Sequence, residues 1–317
     1  MKCPNCKVTC QKSGKHINGT QRYRCHQCKH RFIEPLPKPL NNMRTPLEKA
    51  LLCLHLLVEG NSIRSIERAL GLEKKTIISL LLLAGEKAER LSQKRIRSIK
   101  VTDVQADEIW GFVFCKQKTK NRKYPLDAEV GDIYCFVAIE RQTKLVLAWH
   151  LGKRTVEDTE DFINKLDQAT TGFFQLSTDG WESYPEAVSL SLGTRVDYAQ
   201  LIKTYRAAHP QQSPEGERRY SPSRVLEIIK VPRIGDPNPS AICTSHVERQ
   251  NLTMRMMMRR LTRLTNAFSK KRENLHAALA LHFAYYNFCR IHRTLRCTPA
   301  MEAGVTKSIW ELKDLLA

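Results

Sequence analysis

The spacing of apolar positions divides the chain into a helical stretch and a stretch of alternating strands. Leu47, Leu51, Leu54 and Val58 recur at helical spacing. Thr45-Pro46-Leu47-Glu48 in front of them reads as a helix start, with Thr as cap, Pro in the first turn and Glu completing a capping box. Gly60-Asn61 closes that helix. A short second helix runs from Ser62 to Leu70, Gly71 supplies a turn, and Glu73-Lys74-Lys75-Thr76-Ile77-Ile78 opens a third. From about residue 100 the period changes to two, and strands are expected at 104–115, 131–140, 145–151 and 173–178, with a basic loop at 116–123. Thr155 starts a helix between the third and fourth strands, with Glu157, Asp158, Glu160 and Asp161 near its positive end.

Three strands in a meander, then a helix, then a strand paired beside the first is the ribonuclease-H-like order. That order brings a carboxylate on the first strand, Asp107, together with the one closing the fourth, Asp179, at the centre of the sheet. Asp103 competes for the first position. It lies four residues earlier on the same strand face, about 13 Å away at the rise of a strand, so both cannot bind one ion directly. Glu108 is expected on the opposite face by strand alternation and outside the site.

Charge changes the picture. The 317 residues carry 52 Lys+Arg against 32 Asp+Glu, a formal net charge of +20. Such an excess implies a polyanionic partner, and nucleic acid is the commonest. An anionic membrane surface is the rival, but the longest apolar run, 77–84, is interrupted by Ser79 and is far too short to span one. The start, Met1-Lys2-Cys3-Pro4, has no apolar signal region, so a cytoplasmic, nucleoid-associated protein is expected. The short helix, glycine turn and longer helix at 45–98 then read as a helix-turn-helix with Lys74, Lys75 and Thr76 towards a major groove. An ordinary three-helix bundle with a solvated basic face fits the same pattern.

Of 11 cysteines, four stand as two knuckles, Cys3-Pro4-Asn5-Cys6 and Cys25-His26-Gln27-Cys28. The spacing is that of a four-cysteine zinc site, in which metal replaces a core too small to fold alone. Cys10, His26 and His30 are alternative ligands, and a redox pair would need only one knuckle. The odd total and the lack of a secretion signal argue against a disulfide framework. The remaining cysteines lie mostly in apolar runs and read as buried thiols. A proline-rich linker, 35–44, separates this ribbon, 1–34, from the helical module.

A third carboxylate is expected from a late helix that begins at Ser245-His246-Val247-Glu248. Val247, Met254, Met258 and Leu261 form its core stripe. Glu248, Asn251, Arg255 and Arg259 share the neighbouring face, joined by Arg249 as a further DNA-contact candidate. The blocks Asp107-Glu108-Ile109-Trp110-Gly111-Phe112-Val113, Ser177-Thr178-Asp179-Gly180-Trp181 and His246-Val247-Glu248-Arg249-Gln250-Asn251 resemble the three catalytic blocks of transposases of the insertion-sequence-one family. The closing segment, Tyr286-Asn287-Phe288-Cys289-Arg290-Ile291-His292-Arg293 with Thr298-Pro299-Ala300, is similar to theirs.

The resemblance implies a multidomain α+β protein: zinc ribbon, helix-turn-helix, and a ribonuclease-H-like catalytic domain over 99–317. It implies that Asp107, Asp179 and Glu248 form a DDE triad holding two Mg²⁺ or Mn²⁺ ions, for cleavage at transposon ends and 3′-hydroxyl strand transfer into target double-stranded DNA. Two DNA ends must be joined, so a homo-oligomer on DNA is expected. A catalytically inactive, transposase-derived DNA-binding protein and a ribonuclease-H-like nuclease are the alternative readings. The segment 196–243 fits no element of the pattern and is expected to be a loop insertion.

Overall fold

The structure, a computed structural model, describes residues 1–16, 20–33, 39–41, 43–205, 225–263 and 265–317. The chain forms two compact units, Met1–Met43 together with Ala317, and Arg44–Leu316. In the first, β1 (Gln11–Lys15), β2 (Gln21–Arg24) and β3 (Arg31–Ile33) make an antiparallel sheet in that order. The two cysteine knuckles turn alike. Lys7 and Lys29, each following the second cysteine, have φ of 61° and 56°. The N–H of Cys3 donates to Val8 O, and the N–H of Cys25 to His30 O. Buried Cys3, Cys10, Tyr23 and Cys25, with Phe32 and Cys6 packed on them, make a very small core. The proline run at 34–38 lies outside the described residues.

The second unit opens with α1 (Leu47–Val58), α2 (Ile63–Leu70) and α3 (Lys74–Arg95). The expected Thr45 cap is not made. Pro46 is the cap residue, and its carbonyl accepts the Ala50 N–H at 3.0 Å, which starts the helix without any side-chain oxygen. Ser62 does cap α2, accepting from the Ser65 N–H at 3.1 Å. Gly71 ends α2 at φ 59°, a left-handed conformation that favours glycine.

A two-residue strand β4 (Ile99–Lys100) leads into the main sheet through β5 (Asp103–Val113). Where a basic loop was expected, a short helix α4 (Gln117–Lys123) stands. Its start is fixed by a reciprocal pair, Gln117 N–H to Asp132 Oδ1 at 2.9 Å and Asp132 N–H to Gln117 Oε1 at 3.2 Å. β6 (Gly131–Glu140) and β7 (Val146–Gly152) complete an antiparallel meander with β5. Then follow α5 (Val156–Ala169), β8 (Thr170–Thr171), which pairs with β4, and β9 (Phe174–Thr178), which returns parallel beside β5. After α6 (Tyr184–Ser191), β10 (Val196–Tyr205) lies parallel to β9, and β11 (Val225–Ile234) pairs antiparallel with β10 at the edge. The sheet order is β11-β10-β9-β5-β6-β7.

The segment expected as a loop insertion therefore carries two strands of the sheet; its middle, 206–224, lies outside the described residues. Pro232 in β11 obscured that strand, and an edge position is where a strand tolerates a residue without an N–H.

Helices cover both faces of the sheet. On one side α7 (Ser245–Met257) and α8 (Arg272–Ala284) pack Val247, Met254, Leu275, Leu279 and Phe283 against Ile109, Val137 and Ile139. On the other, Phe162 of α5 meets Phe136 with ring centroids 5.5 Å apart. α3 belongs to this same unit. It crosses α8 so closely that a Cβ on Gly85 would sit 2.6 Å from Ala277 Cα. The helical stretch 45–98 is thus packed into the larger unit, because its longest helix buries Ile77, Leu80, Leu81, Ala84 and Ala88. No helix among the described residues is long and apolar enough to cross a membrane.

Candidate functional site

β5 and β9 run parallel in register, and Ala106 opposite Thr178 is the last pair between them. Asp107 and Asp179 are each the next residue, which is why two acids distant in sequence converge. Carboxylate oxygens of Asp107, Glu108 and Asp179 all lie within 4.8 Å of one another. Glu108 was expected outside this site. Alternation sends its Cβ to the other face, but it lies just past the last β5–β9 pair, beside Asp179, and its longer side chain reaches the two aspartates.

Burial and mutual repulsion raise the Asp107 and Glu108 carboxyls. Burial first, then the Asp179 charge, pushes Asp107 up to about 7. The same two causes push Glu108 up to about 9, against the pull of Arg154. Burial raises Asp179 as well, opposed by the Trp181 N–H, which donates to Asp179 Oδ1 at 3.0 Å, and by Arg154. Glu108 Oε1 and the Tyr184 hydroxyl are buried without a hydrogen-bond partner. Hard oxygen donors, packed closely and under-neutralised, suit a divalent ion such as Mg²⁺ or Mn²⁺.

Arg154 is the cation of the cluster. It lies 3.5 Å from Asp179 Oδ2 and 3.6 Å from Glu108 Oε1, and its guanidinium stacks over Trp181 and Tyr134, 4.3 and 5.8 Å from their ring centroids. The loop that presents it is pinned by Asp158, whose carboxylate accepts the Lys153 N–H at 2.8 Å, pairs with His150 Nε2 at 2.8 Å and accepts the Thr155 hydroxyl at 3.1 Å. Gln200 of β10 holds the other loop, donating to the carbonyls of Asp179 and Trp181 at 3.0 Å each. Arg233 of β11 in turn donates to Gln200 at 2.8 Å. These supports come from the segment in which the sequence pattern showed no element.

The third acid expected in the triad stands apart from this close cluster. Glu248, in the first turn of α7, forms an ion pair with Lys203 of β10 and accepts the Thr244 hydroxyl at 2.6 Å. It is near enough for its charge to raise Asp107. Its helix is anchored to β5 by buried Gln105, which accepts the N–H groups of His246 and Val247 at 2.8 and 3.3 Å.

Asn251 reaches the cluster directly, donating to Asp107 Oδ2 at 2.9 Å. Arg255 is turned onto backbone carbonyls instead, those of Leu261 at 3.0 Å and Trp110 at 3.3 Å, and burial lowers it to about 10. Arg249 and Arg259 are exposed. Lys74 pairs with Glu67 at 3.5 Å, Lys75 is exposed and Thr76 half-buried, all on the first turn of α3. Asp103, the rival of Asp107, is engaged by Arg141 at 3.0 Å at the start of the strand.

In the first unit the four predicted thiols of Cys3, Cys6, Cys25 and Cys28 gather. Sulfur separations are 3.5 Å for Cys3–Cys28, 3.3 Å for Cys6–Cys25 and 3.6 Å for Cys6–Cys28. A tetrahedron with Zn–S bonds of about 2.3 Å has edges of about 3.8 Å, so this set could hold zinc with little movement. The backbone N–H of Cys28 chiefly, with the Cys6 thiol, lowers Cys25 to about 6, favouring the thiolate a metal needs. Cys10, His26 and His30 are outside the set.

The sequence reading missed Glu108, Arg154, Gln200 and Lys203. Only Arg154 left a local signal, a cation directly before the Thr155 helix cap.

No protein-family model matches the chain, and no curated protein matches it. Among solved structures, a cryo-EM structure of a piggyBac transposase synaptic complex with hairpin DNA is similar over 86% of this chain and 70% of that one, at 10% identity and a TM-score of 0.42.

Proposed function

We propose that this protein is a DNA transposase of the DDE type, with a ribonuclease-H-like catalytic core and a zinc ribbon. The observation that carries the reading is the convergence of Asp107 and Asp179 at the ends of adjacent parallel strands, within a meander–helix–strand order, on a chain of net charge +20. A buried carboxylate cluster in a strongly basic protein suits a metal-assisted reaction on a polyanion.

Asp107 and Asp179 would hold the ions, with Glu248 or Glu108 completing the set. Bound Mg²⁺ or Mn²⁺ would polarise the scissile phosphodiester and favour deprotonation of the attacking water or 3′-hydroxyl. Asn251 fixes the orientation of the Asp107 carboxylate through its 2.9 Å hydrogen bond. Arg154, placed over the ring of Trp181, would offer its remaining donors to a non-bridging phosphate oxygen. Lys203 neutralises Glu248 and would exchange it for a phosphate when Glu248 turns inwards. Lys75, Thr76, Arg249 and Arg259 are proposed DNA contacts. The zinc ribbon, the helix-turn-helix and assembly as a multimer on two DNA ends belong to the same reading.

The test is strand joining. Short duplexes taken from the DNA flanking the reading frame are incubated with the full-length protein, Mg²⁺ and a target plasmid. Joined product is expected from the wild type and none from Asp107→Asn. Equal joining by Asp107→Asn would refute the assignment.

A further inference from the structure

A second cleft, of about 690 Å³, opens between the starts of α2 and α3 on one side and the residues after α7 on the other. Its rim is cationic, with exposed Arg64, Arg259 and Lys270 and with Lys74, which also pairs with Glu67, and no Asp or Glu lines it among the described residues. Its floor is apolar, built from Ile63, Ile78, Ala267 and Phe268. Phe268 is held by Phe112, with ring centroids 4.9 Å apart. Three polar groups in the lining are unspent among the described residues, since Arg260 Nε, Ser269 Oγ and Asn274 Oδ1 are buried without a hydrogen-bond partner.

Each property restricts the occupant. The cationic rim asks for an anion. An apolar floor with one aromatic ring asks for a flat, weakly polar group. A buried donor and a buried acceptor ask for a partner with both, because leaving them unmade is unfavourable. A phosphate alone would satisfy the rim and leave the floor bare. A paired duplex would satisfy the rim too, but its bases are stacked and cannot enter. An unpaired nucleotide meets all three, with phosphate at the rim, base on the floor, and base edge against Asn274 and Arg260. The volume falls in the range of sites that enclose small ligands.

We infer that this cleft receives one unpaired nucleotide of a DNA strand. The inference rests on the nucleic-acid reading above and adds a preference for strand ends or distorted sites over intact duplex.

The test compares two fluorescein-labelled duplexes of the same sequence, one blunt and one with a single-stranded 3′ overhang, by anisotropy with the full-length protein. The wild type is expected to bind the overhang duplex tighter by roughly tenfold, the scale of one base stacked and held. Asn274→Ala and, separately, Arg64→Ala on the exposed rim are expected to bring overhang binding down to near the blunt value. Thermal melting establishes that each variant is folded, and the exposed Arg64 site answers even where Asn274→Ala fails to fold. Equal binding of both duplexes by the wild type, or a preference kept in both variants, would overturn the inference while leaving the DNA reading intact. Failure to bind either duplex would refute both.

Discussion

Arg154 lies over the ring of Trp181, its guanidinium carbon 4.3 Å from the indole centroid, and from there reaches towards Asp179 Oδ2 at 3.5 Å. The indole is itself held, donating its N–H to Thr159 at 3.0 Å. The arginine is thus a positioned charge. Arg154→Ala is expected to lower Mg²⁺-dependent DNA cleavage by about a hundredfold, the usual loss when one charge-stabilising donor is removed. Arg154→Lys keeps the charge but cannot stack or bridge in the same plane, so it should recover only part of that loss. Rate measurements on the two variants, with melting curves to establish folding, check this.

The carboxylate cluster stores repulsion that a cation would relieve. Without metal, Asp107→Asn should raise the melting temperature by a few degrees, about 1 kcal/mol or more at this size. Added Mn²⁺ should raise the melting temperature of the wild type and leave that of Asp107→Asn nearly unchanged. Scanning fluorimetry in chelator and in Mn²⁺ reads both effects, and a variant that still responds to Mn²⁺ as the wild type does would count against the site.

The zinc prediction concerns the first unit. Among the described residues its core cluster has four buried side chains, so it should depend on metal for its fold. Purified protein should contain one zinc per chain by elemental analysis, and Cys6→Ser should lose it. Protease cleavage within the first 43 residues should then accelerate while the second unit stays intact.

His282 gives a pH dependence separate from catalysis. It is buried in α8 with Nε2 lacking a partner, and burial, with help from Arg290, pushes it down to about 4. The folded state therefore resists a proton that the unfolded chain accepts near pH 6.5. Stability should be unaffected above that value and fall as pH drops towards 4. Between about pH 7 and pH 5 the loss from this residue is about 2 kcal/mol. Urea melts at the two pH values should show the wild type losing about that much more than His282→Leu.

Gly85 sits where α3 packs on α8. A Cβ there meets Ala277 backbone at 2.6 Å. Gly85→Ala, although it favours an isolated helix, should destabilise the protein by about 1–3 kcal/mol through overpacking, measured by denaturant unfolding.

Much of the core was legible because its signals are local. The run ending at Thr178 marks Asp179 locally, and the alternation in 104–115 marks the strand that carries Asp107, but choosing Asp107 over Asp103 leaned on the family resemblance as well as on its place nearer the strand centre. Glu108 was not legible, because its place depends on where the neighbouring strand stops. β10 and β11 were hidden for different reasons. β11 is a largely exposed edge strand interrupted by Pro232, so it lacks the buried alternation that marks a strand. Gln200 and Lys203 read as ordinary polar positions until β10 is set beside β9 and near α7. Glu248 was found by resemblance, and its pairing with Lys203 lies beyond what its own helix could signal.

In the proposed reaction Asp107 and Asp179 together hold divalent ions for phosphodiester chemistry. The most direct measurement is cleavage of supercoiled plasmid by the full-length protein in Mg²⁺ or Mn²⁺, beside Asp107→Asn and Asp179→Asn at equal concentration. Metal-dependent nicking is expected from the wild type and, for each variant, a loss on the order of a thousandfold or more. Nicking that persists in chelator, or that survives both substitutions, would contradict the assignment.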